Sequence, residues 1–345
     1  MRIAVIHSDV GPSPTPDDMD TIVQAETVAA VLGGQGHDVT MTPVRRAVRH
    51  TVDALRRTST EVVFNLVETI GGTCEGAYLL PSALEQAGIP FTGAGSHAML
   101  LAGNKLAVKR LLRSAGVPTP PWVEEMGGEP EHMAGASFLP GPYVVKSVWE
   151  HGSHGLDQGS IIEFADRVAV QRSLAQKRRE LGGAWFAEAF VSGREFCVGV
   201  VEEADGPRLL PTYEICFEGG KDAPRLVDYA AKWDEASAQA LATPRNWEFS
   251  AEEGVLLQRM EASSLMCWRF LRLAGYARVD MRVDSAGVPH VIDVNSNPCI
   301  SPEAGFAVQL ERSGIGLGRG VGMIVEAALR RRGAPFHNTP TRKAA

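Results

Sequence analysis

The sequence predicts an α/β N-terminal domain, a parallel sheet with helices, followed by an α+β region built of paired strands. Three observations predict it. Strand and helix signals alternate over about the first 100 residues. A stop-and-linker signal, Gly116-Val-Pro-Thr-Pro-Pro121, then closes that rhythm. Beyond it the strands come in sets, ending in a charged hairpin from Tyr276 to Asn295.

Taken in order, Ile3–Ile6 reads as a first buried strand, too short an apolar run for a signal peptide. Ile22–Leu32 reads as a helix ending at Gly33-Gly34, preceded by an acidic loop, Gly11-Pro-Ser-Pro-Thr-Pro-Asp-Asp-Met-Asp20. Asp38–Pro43 is a strand, Arg45–Arg57 a basic segment and Glu61–Leu66 a strand. A helix at about Ala77–Gln86 leads to Ile89-Pro-Phe-Thr92, completing a βαβ rhythm. A helix over Lys105–Ala115 meets the linker. Past it, Tyr143–Val148 and Ser160–Phe164 form one strand set, followed by a helix at Arg167–Leu181. Trp185–Val191, Arg194–Glu202 and Arg208–Phe217 read as the next strands, the first two joined by a Ser192-Gly193 turn. Glu252–Leu273 is helical, the hairpin follows, and two helices close the chain. The polar tail Pro335–Ala345 is expected to be disordered.

At 345 residues the chain is long for one core and predicts two or three domains. With 44% hydrophobic and 22% charged residues it has the composition of a soluble globular protein. A net charge of −7, with no basic block beyond Arg330-Arg-Arg332, argues against a nucleic-acid partner. No segment approaches ~20 uninterrupted apolar residues, so no membrane span is expected. The five cysteines are odd in number, scattered and never in a CxxC pair. That predicts a reducing cytoplasm rather than a disulfide frame or a zinc site.

Strand residues two apart share a face, so Arg278 and Asp280 project together, as do Asp293 and Asn295. Val279, Met281, Val283, Ile292 and Val294 are expected to point the other way, into a core. If the strands pair, one cation and three oxygen ligands rise from a rigid floor, a set suited to Mg²⁺ held against phosphates. A hairpin charged only on its wet side has the same pattern. In Tyr143–Gly155, Lys146 ends an apolar strand before a Gly-rich turn whose N–H groups could cradle phosphate. A strand-end lysine reaching solvent reads equally well. Glu188 and Glu195 flank the Ser-Gly turn, placed to accept from an adenine amino group and from ribose hydroxyls; a hairpin with two surface glutamates is the plainer alternative. Gly93-Ala-Gly-Ser-His-Ala98 matches the dinucleotide fingerprint but lacks the acidic residue about twenty positions on, and a tight strand-to-helix turn accounts for it. Gly314–Gly322 reads as a helix entrance, and there is no Walker A sequence.

In order and spacing, Lys105, Lys146, Glu188, Glu195, Lys232, Arg278, Asp280, Asp293 and Asn295 resemble the ATP-grasp superfamily, and within it the D-alanine–D-alanine ligases. The resemblance covers about residues 1–333. Its strongest pieces are Gly88-Ile-Pro-Phe-Thr-Gly-Ala-Gly95 with Asn104-Lys105, and Gly275-Tyr-Ala-Arg-Val-Asp280 with Asp293-Val-Asn-Ser-Asn-Pro298. It implies an N-terminal pre-ATP-grasp α/β domain at 1–103, α+β ATP-grasp subdomains at 104–184 (central) and 185–333 (C-terminal), and a tail at 334–345, with ATP between the two subdomains. It implies Lys105 and Lys146 on the ATP phosphates, Glu188 with the Ala189, Phe190 and Val191 backbone on adenine, and Glu195 on ribose. Asp228-Tyr-Ala-Ala-Lys-Trp233 matches the family's loop over the γ-phosphate, with Lys232 as its lysine and Trp233 where the ligases usually carry Tyr. Asp280, Asp293 and Asn295 would bind two Mg²⁺ ions, with Mn²⁺ as a substitute; Asp293 stands in for the usual glutamate. Arg278 would stabilise the acyl phosphate and tetrahedral oxyanion with a backbone N–H near Cys299. Closure of the His151–Gly155 turn, which carries Ser153, and of the 218–233 loop would exclude water.

The departures concern substrate. Cys299 stands where these ligases carry glycine, and Ala304 where they carry a serine that helps hold the acceptor's carboxylate. The acidic loop with Asp17 replaces the usual context of an N-terminal glutamate, and Glu68, in Val67-Glu-Thr-Ile-Gly-Gly72, replaces a His-Gly segment. Asp17, Glu68, Cys299 and Ala304 are thus the expected substrate contacts. The implied activity is an ATP-dependent carboxylate–amine ligase working through an acyl phosphate, on amino-acid-like substrates other than two D-alanines. Ester-forming or cyclising ATP-grasp ligases share that ATP chemistry, and a nucleotide-binding protein without catalysis is the reading from a different class. The expected partners are small-molecule carboxylate and amine substrates, with a homodimer expected by resemblance.

Overall fold

β1 (Arg2–Ser8) stands between β2 (Asp38–Val44) and β3 (Val62–Leu66) in a three-stranded parallel sheet. Ile3–Ile6 are buried completely, as befits a parallel strand covered on both faces. The cover comes from α1 (Pro16–Gly34), α2 (Val48–Arg57) and α3 (Leu79–Ala87). This computed structural model describes residues 1–45, 47–125, 138–220 and 225–331. The expected tail at 334–345, Arg332, Arg46 and 221–224 of the closing loop lie outside the described residues.

Helix α1 begins at Pro16 rather than Ile22, so the stretch from Asp17 to Asp20 is helix and not loop. Thr15 explains the early start: its N–H and Oγ1 both donate to Asp18, at 3.1 and 2.9 Å. Pro16 presets the first helical φ, and Asp17 and Asp18 sit at the positive end of the helix dipole.

After Gly93-Ala-Gly95 come α4 (Ser96–Gly103) and α5 (Lys105–Ser114), so that glycine run is a strand-to-helix turn. An unpredicted strand, β4 (Trp122–Glu124), joins β5 (Gly141–Ser147), β6 (Ile161–Phe164) and β7 (Trp185–Ala189) in an antiparallel sheet ordered β4-β7-β5-β6. α6 (Arg167–Leu181) packs on it through Val170 and Leu174. The third sheet is ordered β11-β10-β8-β12-β13, with β9 beside β8. Its strands are β8 (Glu195–Glu203), β9 (Gly206–Leu209), β10 (Tyr213–Ile215), β11 (Arg245–Asn246), β12 (Tyr276–Val283) and β13 (Pro289–Asn295). The helices α7 (Tyr229–Trp233), α8 (Ala238–Leu241), α9 (Gly254–Phe270), α10 (Gly305–Arg312) and α11 (Leu317–Arg330) complete the described chain.

Two strand expectations are corrected. Trp185–Ala189 and Glu195–Glu203 are not a hairpin: β7 pairs with β5 and β8 with β12, in different sheets. The expected subdomain boundary at 184/185 therefore falls before a strand of the central sheet, and the crossing is made at 190–194. Gly193 permits the crossing, since a Cβ there would lie 1.7 Å from the Val283 carbonyl oxygen. The expected strand Arg208–Phe217 is two strands, broken around Pro211, which has no N–H to give the ladder.

One face of the third sheet is core: Val198, Val200, Val279, Met281 and Val294 pack on Met260 and Cys267 of α9 and Ala98 of α4. A second core joins α1 and α11 to the N-terminal sheet and to Phe306 of α10. The polar face of β12 and β13 is left toward the central sheet, and a cavity of about 1080 Å³ lies there.

Candidate active site

β12 and β13 pair antiparallel with Arg278 opposite Asn295 and Asp280 opposite Asp293, so the four polar side chains do share a face. Arg278 Nε and Nη2 donate to Asp280 at 2.7 and 2.8 Å, and Asn295 Nδ2 donates to the same carboxylate at 3.1 Å. A register shift between Asp280 and Met281 adds one residue to β13: Met281 faces Val291, and Ile292 is extra. This corrects the expected alternation. Val291 is in the core, 2% exposed, while Ile292 lines the cavity beside Asp293.

The three lysines expected on the phosphates come from three elements. Lys105 opens α5 behind Asn104, whose Oδ1 accepts from Ala107 N–H at 2.8 Å, and its Nζ donates to the Glu150 carbonyl at 2.8 Å. Lys146 is the next-to-last residue of β5, and Lys232 lies in the last turn of α7, 5.2 Å from the Trp233 ring centre. Burial pushes the Asp293 carboxyl up, yet its cationic neighbours Lys105, Lys146 and Lys232 outweigh it and hold the group at about 2. His151 also faces Asp293 but is pushed down to about 3, first by burial and then by Lys105. It is neutral near pH 7, so the lysines carry the effect.

Glu188 is 2% exposed and takes an ion pair on each oxygen, from Lys146 at 2.6 Å and from Lys109 at 2.5 Å. Both side-chain oxygens are thus engaged by lysines, and Glu188 lines the cavity beside Ala189. Ala189 and Phe190 line the cavity, but their N–H groups already donate to the Pro121 and Pro142 carbonyls. Val191 and Glu195 line it too, and burial raises the Glu195 carboxyl even though Arg282 stands 3.4 Å away. Two guanidinium groups stand over the Phe190 ring, Arg282 at 4.5 Å and Arg225 at 5.0 Å from its centre.

The two segments expected to close are in contact. Ser153, at φ +61°, donates from Oγ to the Val227 carbonyl at 2.8 Å. Trp233 Nε1 donates to the Gly152 carbonyl at 2.9 Å. Gly152 has φ +68°, and a Cβ on it would meet the Trp233 ring at 3.3 Å, so glycine lets the indole lie against the turn. Gln158 Nε2 adds a bond to Asp228 at 2.7 Å, while Asp228 caps α7 through Ala231 N–H at 2.8 Å. Tyr229 donates its hydroxyl to Asp17, tying this loop to α1.

The expected substrate contacts divide. Cys299 and Ala304 line the cavity, whereas Asp17 and Glu68 do not; Asp20 does. Asp20 accepts from Ser301 Oγ at 2.5 Å and from Cys299 Sγ at 3.1 Å. Burial and Asp20 push the Cys299 thiol up to about 12, so it stays protonated. Glu68 stands close enough to feel Lys232, Asp20, Asp17 and Arg278, with its carboxyl raised to about 7, chiefly by burial.

Asp20, Lys109, Arg282 and Ile292 were missed in the sequence. Arg282 continues the period of two through Arg278 and Asp280, a signal that was there to read. Asp20 needed the true start of α1. Among the described residues no three His, Cys, Asp or Glu side chains converge as a metal cage. Two facing aspartates and an amide oxygen fit Mg²⁺, which takes one or two carboxylates and fills its shell with water and phosphate.

A parallel α/β layer followed by two antiparallel sheets facing each other across a lysine-walled cavity defines an ATP-grasp protein. The comparisons with known proteins agree. Residues 111–326 match the family model described as D-ala D-ala ligase C-terminus. The D-alanine–D-alanine ligase of Desulforudis audaxviator is 30% identical over 272 residues, 79% of this chain and 81% of that one. A Sinorhizobium fredii protein called "Uncharacterized protein y4sG" is 28% identical over 314 residues, 89% of this chain and 88% of that one. The crystal structure of D-alanine–D-alanine ligase from Bacillus anthracis complexed with ATP superposes with a TM-score of 0.72 at 21% identity, covering 96% of this chain and 98% of that one. The chain belongs to the D-alanine–D-alanine ligase family. It is an ATP-grasp ligase, forming carbon–nitrogen bonds. No helix among the described residues is long and apolar enough to cross a membrane.

Proposed function

We propose that the protein activates a small carboxylate as an acyl phosphate and joins it to an amine, on amino-acid-like substrates other than two D-alanines. The observation that carries the ATP half is that Lys105, Lys146 and Lys232 line the same cavity as Asp280 and Asp293. Lys146 is paired with Glu188, so of these three Lys105 and Lys232 are the ammonium groups left without a carboxylate ion pair among the described residues, and a triphosphate would meet them. In this reading Lys105 and Lys146 hold the phosphates and Lys232 covers the γ-phosphate. Phe190 and Val191 lie against adenine, and Glu195 takes the ribose. Asp280, Asp293 and Asn295 would hold two Mg²⁺, which when bound neutralise charge on the transferring phosphoryl group.

The first substrate's carboxylate oxygen attacks the γ-phosphorus and ADP leaves. The amine nitrogen then attacks the acyl carbon, phosphate departs with the C–O bonding electrons, and the nitrogen gives up a proton. Arg278, braced by Asp280 at 2.7 Å, would stabilise the charge on the acyl oxygen. The Ser153 turn, latched to Val227, would keep water from the acyl phosphate. Two features support a substrate other than a pair of D-alanines: Ala304 has no hydroxyl for an acceptor carboxylate, and Cys299 places a thiol against Asp20. The domain division, with the central unit extended through β7, a homodimer and a cytoplasmic location belong to the same reading.

An ADP-release screen over pairs of D- and L-amino acids and other carboxylates, with mass analysis of products, tests it. D-alanine alone emerging as the best substrate would overturn the specificity. Arg278→Ala should still bind ATP while condensation slows roughly a hundredfold, the equivalent of about 3 kcal/mol.

A further inference from the structure

Arg282 follows Arg278 and Asp280 on the cavity face of β12 and stands opposite Glu195 of β8. It is 5% exposed, and a guanidinium so buried must place its donors on fixed acceptors. Two of these are main-chain carbonyls: Nη2 donates to Gly193 and Nη1 to Arg225, each at 2.9 Å. Nη1 also lies 3.4 Å from the Glu195 carboxylate. The Phe190 and Phe217 ring centres are 4.5 and 5.4 Å from the guanidinium. Nε is buried without a partner, so the two Nη groups make the hydrogen bonds that hold this side chain.

The Arg225 end belongs to a run of three. The carbonyls of Arg225, Leu226 and Val227 accept in succession from Arg282 Nη1, from Gln158 Nε2 at 3.1 Å and from Ser153 Oγ at 2.8 Å. Gln158 Oε1 also accepts from the Arg225 N–H at 3.0 Å. Asp228, the next residue, caps the helix that carries Lys232. Gln158 turns its remaining contact to Asp228, whereas Arg282 also meets Phe190 and Glu195, which line the cavity at the crossing. Arg225 reaches the Phe190 ring with its own guanidinium, but that side chain is exposed, so the firm link is the buried one.

We propose that Arg282 is a positioning residue that couples the nucleoside end of the ATP site to the segment over its phosphates. The proposal rests on the ligase reading above, which puts Phe190 on the base, Glu195 on the ribose and Lys232 on the γ-phosphate. A nucleoside resting on Phe190 and Glu195 fixes the guanidinium beside them, and the guanidinium fixes the Arg225 carbonyl. Occupancy at one end thus steadies Asp228 and Lys232 at the other. By linkage, a well-fastened 225–227 segment tightens the hold on the nucleoside.

A double-mutant cycle on the Kd for ADP with Mg²⁺, read by calorimetry, tests this. ADP lacks the phosphate that Lys232 covers, so a loss of affinity in Gln158→Ala reports the route through Arg282 and not a lost phosphate contact. Arg282→Met should raise the Kd roughly tenfold, and Gln158→Ala roughly threefold. In the Arg282→Met background Gln158→Ala should add nothing, its factor falling to near one. Arg282→Lys provides a second background should the Met variant not fold: it keeps a cation beside Glu195, yet one nitrogen cannot bridge two carbonyls. There too the Gln158→Ala factor should fall to near one. A factor that is the same in wild type and in these backgrounds, whether large or absent, overturns the coupling and leaves the ligase reading standing. No ADP or ATP binding to the wild-type protein overturns both.

Discussion

Glu68 holds a proton where an ordinary glutamate has lost one. Its ordinary value of 4.5 is raised to about 7 by burial, with Asp20 and Asp17 adding to the rise and Lys232 and Arg278 opposing it. Between those values the native state binds more protons than the unfolded chain, so stability falls as pH rises. The contribution is complete below about pH 4.5 and gone above about pH 7. At about 1.4 kcal/mol per pH unit it amounts to about 3.5 kcal/mol at most. Glu68→Gln should therefore flatten the fall of Tm with pH across this window; an unchanged slope would show that the carboxyl titrates normally. Lys109 makes a second residue-scale case. Its ammonium, pushed down to about 8 by burial against the pull of Glu188, also donates to Thr119 Oγ1 at 2.7 Å. Thr119 in turn donates to the Val291 carbonyl at 2.9 Å, two residues before Asp293. A polar strut thus runs from the metal-side strand through Lys109 and Glu188 to Lys146. Lys109→Met should lower the urea unfolding free energy by about 3 kcal/mol, since Glu188 would keep one cation where it had two. It should also raise the KM for ATP. Nothing local in the sequence marks Lys109, because its partners arrive from the 119–122 stretch and from β7.

At the scale of elements, the legible parts were those whose pattern is local. The β12–β13 hairpin was readable from its period of two, and its polar face is where that period puts it. The extra residue was not readable, since one apolar side chain out of phase leaves no mark in Val291-Ile292. The start of α1 was misjudged although Thr15, Pro16 and Asp18 form a start signal, because the surrounding prolines suggested a loop. The closing loop offers a test of its own. Trp233 joins α7 to the Gly152 turn by one N–H···O bond of 2.9 Å. Trp233→Phe keeps the ring but removes the donor, a loss of about 1 kcal/mol, or roughly fivefold in the closed population. ADP released per product formed should rise in this variant, as water reaches the acyl phosphate more often. A ratio still near one would show that the indole N–H does not hold the loop.

For the whole molecule, the order of elements was legible and the assignment of strands to sheets was not. β7 and β8 are neighbours in sequence, joined by a Ser-Gly pair, and every local signal made them a hairpin; only the packing of two separate layers overrules it. Because the cavity lies between these layers, a ligand that binds both should stabilise the fold as one unit. ATP with Mg²⁺ at a hundred times its Kd adds about 2.7 kcal/mol, a rise of roughly 4 °C in Tm. ATP with EDTA should give little of that shift, since Asp280 and Asp293 would then face the phosphates unscreened. Equal shifts with and without chelator would remove the metal from the account. The crossing at 190–194 is where the chain passes from the central sheet to the third. It joins the two layers, and its Phe190 and Val191 line the space between them, so it would act as a fulcrum: if one layer swings against the other, the far lip travels most and Phe190 least. A base resting on that ring would keep its seat while the mouth opens to exchange the smaller reactants.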